Sequence, residues 1–356
     1  MNSLYVDIHV LQTVPPSCVN RDDTGSPKTA VYGGVTRARV SSQSWKHAMR
    51  LMFKDIFTDE QIGVRTKKVY ELIVTLLKEM DCVVKEDIII KKLKKANIEL
   101  KKDTKTKELN SKALVFVSRK QAKALAELIS NNSDSDKEYQ EAIINFPSID
   151  IALFGRMVAD KPAINYDAAA QIAHSISTHE VHNEYDYFTA VDDLSAEDNA
   201  GAGHLGTVEF NSSTLYRYAT VNVRELVKSL GTDTPKAVEG FVKAFLLSMP
   251  TGKQNTFANR TVPDFAYITV REDQPVNLAG AFEAPVRADQ NGYVLKSIEA
   301  LTDYADKTYK TFVDAPKNAY YIGTCESSIA SQVSMKQLMD ELFAQVSDYC
   351  NKENEK

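Results

Sequence analysis

The hydrophobic pattern of the chain changes from a strand period to a helical period and back, and this order restricts the fold more than any single motif. Apolar residues alternate from Leu4 to Val10, which predicts a strand with one buried face. Helical spacing begins near Ser42 and dominates residues 64–146. The strand pattern then returns after residue 180.

The later segments complete this pattern. Strand-like runs lie at 187–191, 207–210, 215–223 and 266–271, and an apolar helical stripe at 234–249 separates the last two. Strand, helix, paired strands, helix and strand is the order of a ferredoxin-like βαββαβ sheet, here interrupted by a helical insertion of roughly 120 residues. We therefore predict an α+β fold.

Turn and capping residues define two further segments. Residues 13–40 are rich in Pro and Gly, which predicts a long loop with several turns. Ser334 and Gln337 match a capping box, in which each side chain binds the backbone N–H of the other residue. This motif predicts the start of a last helix.

Composition argues against several classes of protein. The 356 residues contain 43 Lys or Arg and 48 Asp or Glu, so we expect no basic surface over the whole molecule. The four cysteines form no CxxC pair, which argues against a disulfide framework or a cysteine-bound zinc. Residues 1–12 lack the pattern of a signal peptide, and no apolar run approaches the ~18 residues of a membrane helix. We expect a cytoplasmic protein with no membrane partner.

Charge is distributed unevenly along the chain. Residues 18–50 carry six Lys or Arg against two Asp, and residues 85–107 carry nine lysines against four acids. Residues 180–209 carry eight Asp or Glu and no Lys or Arg. A basic segment with several glycines suits a phosphate backbone, because charge supplies affinity while polar groups set the register. We predict a nucleic-acid site in residues 18–50.

The sequence contains three partial matches to cofactor or metal motifs, and the surrounding residues or the spacing argue against each of them. Residues 201–206 match GxGxxG, but an acidic loop precedes them and a strand pattern follows, so we interpret the glycines as loop hinges. A Gly-Lys pair at 252–253 lacks the Ser or Thr of a P-loop. The spacing of His174, His179 and His182 does not match a zinc motif, which favours structural or solvent-facing histidines. We predict no cofactor and no metal.

One pair of carboxylates leaves a catalytic alternative open. Asp22 and Asp23 lie beside the glycine-containing loop, and paired carboxylates can hold Mg²⁺ for phosphoryl chemistry. A metal site normally adds a further acidic ligand. We therefore favour the interpretation that both carboxylates bind their own loop backbone and neighbouring arginines.

Four stretches, in order, resemble CasC, the family of backbone subunits of type I-E CRISPR Cascade complexes. They are NRDDTGSPKTAVYGGVTRARVSSQSWKHAMR at 20–50, IDIALFGRMVAD at 149–160, AAAQIAHSISTHEV at 168–181, and YFTAVDDL at 187–194 followed by AGAGHLGTVEF at 200–210. The resemblance covers residues 1–225 well, residues 60–140 in character only, and the C-terminal third loosely.

The resemblance implies a fold and a division of the chain. Members of this family, within the RAMP superfamily, have a ferredoxin-like (RRM-like) palm, a large helical insertion called the fingers and a β-hairpin thumb. Applied to this chain, the palm comprises residues 1–58 and 213–356, the fingers 59–180 and the thumb 181–212.

The resemblance also implies a function in antiviral defence. In the family, copies bind head to tail along the spacer of a CRISPR RNA (crRNA), together with other Cascade subunits. Each thumb displaces one base at a regular interval, and the segments between pair with the target DNA strand. The subunit binds RNA and does not cut, so no enzyme activity is implied.

By motif position, the resemblance assigns RNA contacts to two groups of residues. The residues that would bind phosphates and sugars are Arg21, Lys28, Ser41, Gln43, Lys46 and Arg50, and the same basic segment adds Arg37 and Arg39. The residues that would press on displaced bases are Met157, Tyr187, Phe188, Thr189, Val191 and Leu205. Aromatic and apolar side chains stack on unpaired bases whatever the sequence, which suits a protein that holds many guides.

Three alternatives stay open at this stage. A metal-dependent ribonuclease, of the kind found among type III backbone subunits, would cleave target RNA with Asp22 or Asp23. An assembly protein would pair basic residues 18–50 with acidic residues 180–209 of a neighbouring copy. The lysines of residues 85–107 would either contact target DNA or keep that face soluble.

Overall fold

The computed structural model describes residues 3–158, 161–190 and 204–354. The strands are β1 (Tyr5–Ser17), β2 (Thr29–Tyr32), β3 (Val35–Val40), β4 (Val64–Thr66), β5 (Leu100–Lys102), β6 (Leu109–Ser111), β7 (Val115–Val117), β8 (Ala170–Ile172), β9 (Ser175–Ser177), β10 (Glu184–Ala190), β11 (His204–Asn222), β12 (Phe265–Arg271), β13 (Asn318–Gly323) and β14 (Ser331–Gln332). The helices are α1 (Ser42–Ile56), α2 (Val69–Glu79), α3 (Glu86–Lys95), α4 (Arg119–Ser130), α5 (Asp136–Ile144), α6 (Ile149–Phe154), α7 (Val223–Leu230), α8 (Thr234–Leu247), α9 (Gln254–Phe257), α10 (Val294–Thr311) and α11 (Met335–Asn354).

The chain divides into two compact units. The first comprises Met1–Met49, Ile172–Thr220 and Phe241–Asp340, and the second comprises Arg50–Gln171, Val221–Gly240 and Glu341–Lys356. Residues 221–240 and 341–356 therefore belong to the second unit, and the division into palm, fingers and thumb stays a prediction.

The first unit is built on a sheet in which the strands follow the order β14-β13-β12-β1-β11-β9-β3-β2. The central four, β12-β1-β11-β9, are the fourth, first, third and second strands of a βαββαβ unit, which is the ferredoxin-like order. Ile8 pairs with Ile268 and Leu215 with Ser177, both in antiparallel register. The predicted α+β, ferredoxin-like fold is confirmed.

Both faces of this sheet are buried. On one face Leu11, Tyr216 and Tyr267 belong to a core that also includes residues of α10 and of the 3₁₀ turn Leu278–Phe282. Every residue of β1 from Val6 to Gln12 is buried. The prediction that β1 buries only one face is therefore wrong, because its polar side chains are covered as completely as its apolar ones.

Two ionisable residues of β1 are held inside the core by hydrogen bonds. The Asp7 carboxylate accepts from the Tyr218 hydroxyl at 3.1 Å and from the Val276 N–H at 2.8 Å. Nδ1 of His9 lies 2.9 Å from the Tyr216 hydroxyl. Burial raises the pKa of Asp7 to about 6 and lowers the pKa of His9 to about 3, so His9 is neutral at physiological pH.

Arg217 is a buried cation on the opposite face of the sheet. Its guanidinium donates to Oε1 of Gln12 at 2.5 Å and to the carbonyl of Phe245, and it lies 3.7 Å from the ring centre of Trp45. Burial lowers its pKa to about 9. None of these contacts is to a carboxylate, so the charge is solvated by neutral oxygens and by an aromatic face.

The segment predicted as a long loop, residues 13–40, is mostly strand. β1 continues to Ser17, and β2 pairs with β3 in antiparallel register, with Ala30 opposite Arg37. Gly33 and Gly34 form the turn with φ of +58° and +80°. A Cβ at Gly33 would lie 1.6 Å from the Glu283 carbonyl oxygen. The glycines therefore mark one tight hairpin rather than an extended loop.

The second unit has a helical core. The helices α2, α3, α4 and α5 contribute most of its buried side chains, and β4–β7 and β5–β6 form two short antiparallel ladders. The helical character predicted for residues 64–146 is confirmed. Lys92 is buried here and donates to the Ser133 carbonyl and the Asp134 carboxylate, so it is part of the packing rather than of a solvated face.

No helix within residues 3–158, 161–190 and 204–354 has the length and apolar character that a bilayer span requires. The predicted last helix is confirmed: the Ser334 N–H donates to Oε1 of Gln337, and the Gln337 N–H donates to Oγ of Ser334, which together form the capping box at the start of α11.

We expect Asp7→Asn to change the pH dependence of stability. The native carboxyl has a pKa of about 6 against an ordinary value of 3.8, so the folded state retains a proton that the unfolded state loses as the pH rises. This group stabilises the fold at low pH, and about 3 kcal/mol is lost as the pH passes from about 4 to 6. Asn does not titrate: its Oδ1 can accept from the Val276 N–H while its Nδ2 donates to the Tyr218 hydroxyl, so the variant gains stability relative to wild type as the pH rises.

Denaturant unfolding of both proteins between pH 4 and 7.5 measures this difference. If the two stability curves stay parallel over that range, the carboxyl is not protonated in the native core.

Candidate nucleic-acid interface

Arg37, predicted to bind RNA, is a structural residue. Its side chain is fully buried, and its guanidinium donates to the carbonyls of Ser177 and Phe282 at 2.9 Å each, to that of Tyr32 at 3.2 Å and to that of Glu283 at 3.3 Å. The burial of Arg37 contradicts this prediction, because four backbone carbonyls already bind its guanidinium inside the protein.

Its strand neighbour Arg39 remains at the surface of the same unit. The Arg39 guanidinium donates to the Thr29 carbonyl and to Nδ1 of His174, each at 3.1 Å. Burial lowers the pKa of His174, and so do the charges of Arg39 and Lys28. His174 is therefore a neutral acceptor that orients Arg39, and Lys28 adds a second cation to the same patch.

The loop from Asn20 to Lys28 is tied to the start of α1. The Lys28 N–H donates to the Asn20 carbonyl at 2.8 Å, and Oδ1 of Asn20 accepts from the Ser41 N–H at 2.9 Å. Arg21 is exposed on this loop and forms a backbone bridge to Pro27. Arg21 and Lys28, both predicted site residues, are thus held on one pre-formed loop.

Asp22 is used to build that loop. Its Oδ1 accepts from the Thr24 N–H at 2.9 Å, the Thr24 hydroxyl at 2.7 Å and the Ser26 N–H at 3.0 Å. These bonds, that of the Thr24 hydroxyl first, lower the pKa of the Asp22 carboxyl. Asp23 is exposed beside it. Within the described residues, no group of three or more His, Cys, Asp or Glu side chains is placed to hold a metal ion.

The N-terminal turn of α1 carries three more predicted residues. Ser41 is buried and its Oγ accepts from the Ser44 N–H, so its side chain caps the helix. Gln43 is exposed and Lys46 is half-buried on the next turn. Of these three, Gln43 is exposed to a ligand, whereas the Ser41 hydroxyl is used within the protein.

Arg50 is held by contacts inside the second unit. Its Nε lies 3.1 Å from the Asp150 carboxylate, and its guanidinium lies 4.5 Å from the ring centre of Phe116. Asp150 is buried and also accepts from the N–H of Gly63 and the hydroxyl of Ser148. A phosphate at Arg50 would compete with this buried carboxylate.

Met157 is presented by a rigid turn of the second unit. Its side chain is 87% exposed, although the adjacent Arg156 is buried. The Arg156 guanidinium donates to the carbonyls of Ile143 and Ile164 at 2.7 Å and to that of Phe116 at 3.1 Å. An apolar side chain held in water by such an anchor suits contact with a ligand.

The predicted thumb is a β-hairpin. β10 pairs with β11 in antiparallel register, with Tyr187 opposite Thr207, Phe188 opposite Gly206 and Thr189 opposite Leu205. Tyr187 is 64% and Phe188 41% exposed. Val191 and two of the predicted hinge glycines, Gly201 and Gly203, lie outside the described residues. The third, Gly206, lies within β11 opposite Phe188 rather than in a loop.

The predicted wedge residues divide between the two faces of this hairpin. Because neighbouring residues of a strand point to opposite faces, Tyr187 and Thr189 share one face and Phe188 occupies the other. A Cβ at Gly206 would lie 2.3 Å from the Phe188 ring, so that ring covers the glycine across the hairpin. The hairpin thus exposes an aromatic ring on each face.

The base of the hairpin is fixed by His179, which sequence reasoning did not assign to the site. Nδ1 lies 2.7 Å from the Glu180 carbonyl, Nε2 accepts from the Thr214 N–H at 3.1 Å, and the ring stacks on Tyr293 at 3.6 Å. These bonds require a neutral ring with the proton on Nδ1. No signal in the sequence links His179 to Thr214 or Tyr293, since the fold alone brings them together.

Comparison with known proteins places the chain in a family. The model of the CT1975-like protein family matches residues 6–347. The chain belongs to the CT1975-like family. No curated protein matches the sequence.

Solved structures extend this assignment for the CT1975-like chain. A chain described as "CRISPR RNA-guided surveillance complex, pre-nicking" is 33% identical with a TM-score of 0.79, and the match covers 96% of this chain and all of the other. A second, described as "CRISPR RNA-guided surveillance complex", is 31% identical with a TM-score of 0.64, covering 96% of this chain and 99% of the other. The similarity therefore extends over both structural units.

We expect Arg37→Met to destabilise the protein by about 3 kcal/mol, because buried carbonyls lose a charged donor that no water replaces. The matched control is Arg21→Met at an exposed position, for which we expect a change within about 0.5 kcal/mol. Urea unfolding measures both. Equal effects of the two substitutions would contradict the structural role of Arg37.

Proposed function

We propose that this protein is the CasC-type backbone subunit of a type I-E CRISPR Cascade complex. It binds the spacer of a CRISPR RNA without cutting it and presents the guide for pairing with target DNA. The observation that carries this proposal is the match at 33% identity and a TM-score of 0.79 to a chain of a CRISPR RNA-guided surveillance complex. That match leaves no large part of either chain uncovered.

The buried sheet supports recognition of the RNA backbone. An RRM stacks bases on aromatic residues of its open sheet face. Here the aromatic residues Tyr216 and Tyr267 of the sheet are buried in the core that α10 helps to form. Bases cannot reach them, so the palm contacts phosphates and sugars and leaves sequence recognition to base pairing.

The surface cations of the first unit supply the phosphate contacts. Arg21 and Lys28 lie on the pre-formed loop, and Arg39 is oriented by His174. Gln43 at the first turn of α1 adds an uncharged group that can contact a ribose hydroxyl. The lysines of the fingers are weaker candidates for phosphate contacts, because Lys92 forms an ion pair with Asp134 and Lys95 with Asp136 within the protein.

The hairpin supplies the wedge. Stacking on an exposed aromatic side chain stabilises an unpaired base by about 1–3 kcal/mol, independent of its identity. With Tyr187 on one face and Phe188 on the other, the hairpin can contact a base on each side. One hairpin inserted between two bases would therefore interrupt the stack at one position per subunit.

The charges of the hairpin favour head-to-tail assembly along the RNA in the cytoplasm. Glu184 and Asp186 lie on β10, whereas residues 18–50 carry six Lys or Arg against two Asp. Complementary patches at two different places on one chain generate a repeating, heterologous contact. Other Cascade subunits would cap such a filament at its ends.

We expect Lys28→Gln/Arg39→Gln to weaken RNA binding about 10- to 100-fold near 100 mM salt, because two phosphate contacts are lost. The slope of log Kd against log salt should fall by about 1.4 for the pair. Fluorescence anisotropy with a synthetic single-stranded RNA measures both quantities.

The control Lys310→Gln/Lys352→Gln removes the same charge from two exposed helix positions that form ion pairs with residues of their own helices. Unchanged affinity and slope in Lys28→Gln/Arg39→Gln, matching those of this control, would exclude the palm as the phosphate site.

The second candidate function is a metal-dependent ribonuclease that uses Asp22 or Asp23. The specific observation in its favour is that both carboxylates lie on the loop that carries Arg21. Against it, one oxygen of Asp22 already accepts three hydrogen bonds from its own loop.

We expect the protein, assembled on its guide RNA, to leave complementary RNA intact in the presence of Mg²⁺ or Mn²⁺. Gel electrophoresis of end-labelled target RNA tests this. Cleavage at a regular spacing that disappears in Asp22→Asn or Asp23→Asn would establish the ribonuclease instead.

A further inference from the structure

A segment outside the predicted site lies against it within the first unit. We call residues 251–260 the Lys253 loop. Its Gly252 contacts the two residues that follow β1 so closely that a Cβ there would lie 2.1 Å from the Val19 carbonyl oxygen. The ring of Phe257 lies 5.7 Å from that of Phe210, near the hairpin base, and the hydroxyl of Thr261 donates to the Thr13 carbonyl at 2.8 Å.

The Lys253 loop has a strained backbone. Lys253 and Ala258, which flank the one-turn helix α9, have φ of +49° each. Residues with a Cβ rarely adopt this conformation, and it persists only where the surroundings enforce it. Such positions concentrate at functional sites, since a sequence free of that requirement would place glycine there.

The loop is polar and carries positive charge beside Arg21. The thiol of Cys18 is surrounded by the charges of Arg21 and Lys253, which act against the burial that raises its pKa, and by those of Glu209 and Asp22. Gln254 and Asn255 follow Lys253 directly, and the buried amide nitrogen of Asn259 makes no hydrogen bond within the described residues. Two cations from separate loops, Arg21 and Lys253, therefore lie at one place, together with the carboxylates of Glu209 and Asp22.

We propose that the Lys253 loop is a second phosphate-binding element of the guide-RNA site, with Lys253 and Arg21 contacting the RNA backbone from adjacent loops. This inference rests on the proposed function. The pair Gly252-Lys253 does not match a P-loop, but each of its two residues has a role in the proposed RNA contact. The glycine allows contact with Val19, and the lysine next to it is thereby fixed beside the loop that carries Arg21.

The chemistry favours RNA over a protein partner at this point. In a polyanion with regularly spaced phosphates, two neighbouring phosphates can each form an ion pair with one of the two fixed cations. Amide side chains such as those of Gln254 and Asn255 can bind ribose hydroxyls. An acidic protein segment would need its carboxylates in the same spacing. The test includes this occupant as an outcome.

The test compares Lys253→Asn with wild type in RNA binding. Asn is neutral and tolerates the left-handed backbone, so the midpoint of thermal unfolding should stay the same or rise. We expect Kd for a synthetic single-stranded RNA to rise about 3- to 10-fold near 100 mM salt, and the salt slope to fall by about 0.7. Lys253→Gly, unstrained at this φ, should reproduce the loss, and Lys253→Arg should largely restore binding.

Two controls separate this inference from the proposed function. Lys310→Asn removes the same charge from α10, and Arg21→Asn removes a cation of the proposed site. If Lys253→Asn behaves like Lys310→Asn while Arg21→Asn weakens binding, the Lys253 loop is not an RNA contact. If Arg21→Asn also has no effect, the proposed RNA site itself is wrong. Normal RNA affinity with reduced self-association in Lys253→Asn would assign the loop to a protein contact instead.

Discussion

Burial of the central sheet on both faces is the constraint on which the rest of the first unit depends. It requires that Asp7, His9 and Arg217 find hydrogen-bond partners inside the core, because an unpaired buried polar group costs more than most single contacts provide. Tyr216, Tyr218 and Gln12 supply those partners. Through the Trp45 ring and the Phe245 carbonyl, Arg217 also links the sheet to α1 and α8.

With the sheet closed, ligand chemistry is left to its loops and to the hairpin. The loop of residues 20–28, the first turn of α1 and the Lys253 loop supply charge and polar groups, while the hairpin supplies aromatic rings. These parts are held by internal bonds, such as those of Asn20 and His179. Pre-formed contacts lower the entropy lost on binding, which suits a scaffold that must hold a flexible strand in one path.

Hydrophobic periodicity and local charge predicted part of this structure. Contacts between residues that are distant in the sequence could not be predicted, because they depend on the three-dimensional fold. The βαββαβ order, the helical insertion and the hairpin followed from hydrophobic spacing. The sequence could not show that Arg37 is buried while Arg39 is half-buried, because both lie on the same face of β3 and only Arg37 meets the 3₁₀ turn near Phe282. The Lys253 loop was missed for the same reason: more than 200 residues separate it from Val19, and neither segment indicates the other.

Arg217 has a consequence at long range. Its charge is held by the Gln12 amide, the Phe245 carbonyl and the Trp45 ring rather than by a carboxylate, so these contacts leave a full positive charge inside the protein beneath α1. Dissolved salt screens a buried charge much less than a surface one. A polyanion near α1 would therefore experience an attraction that persists at ionic strengths where contacts with exposed lysines have faded.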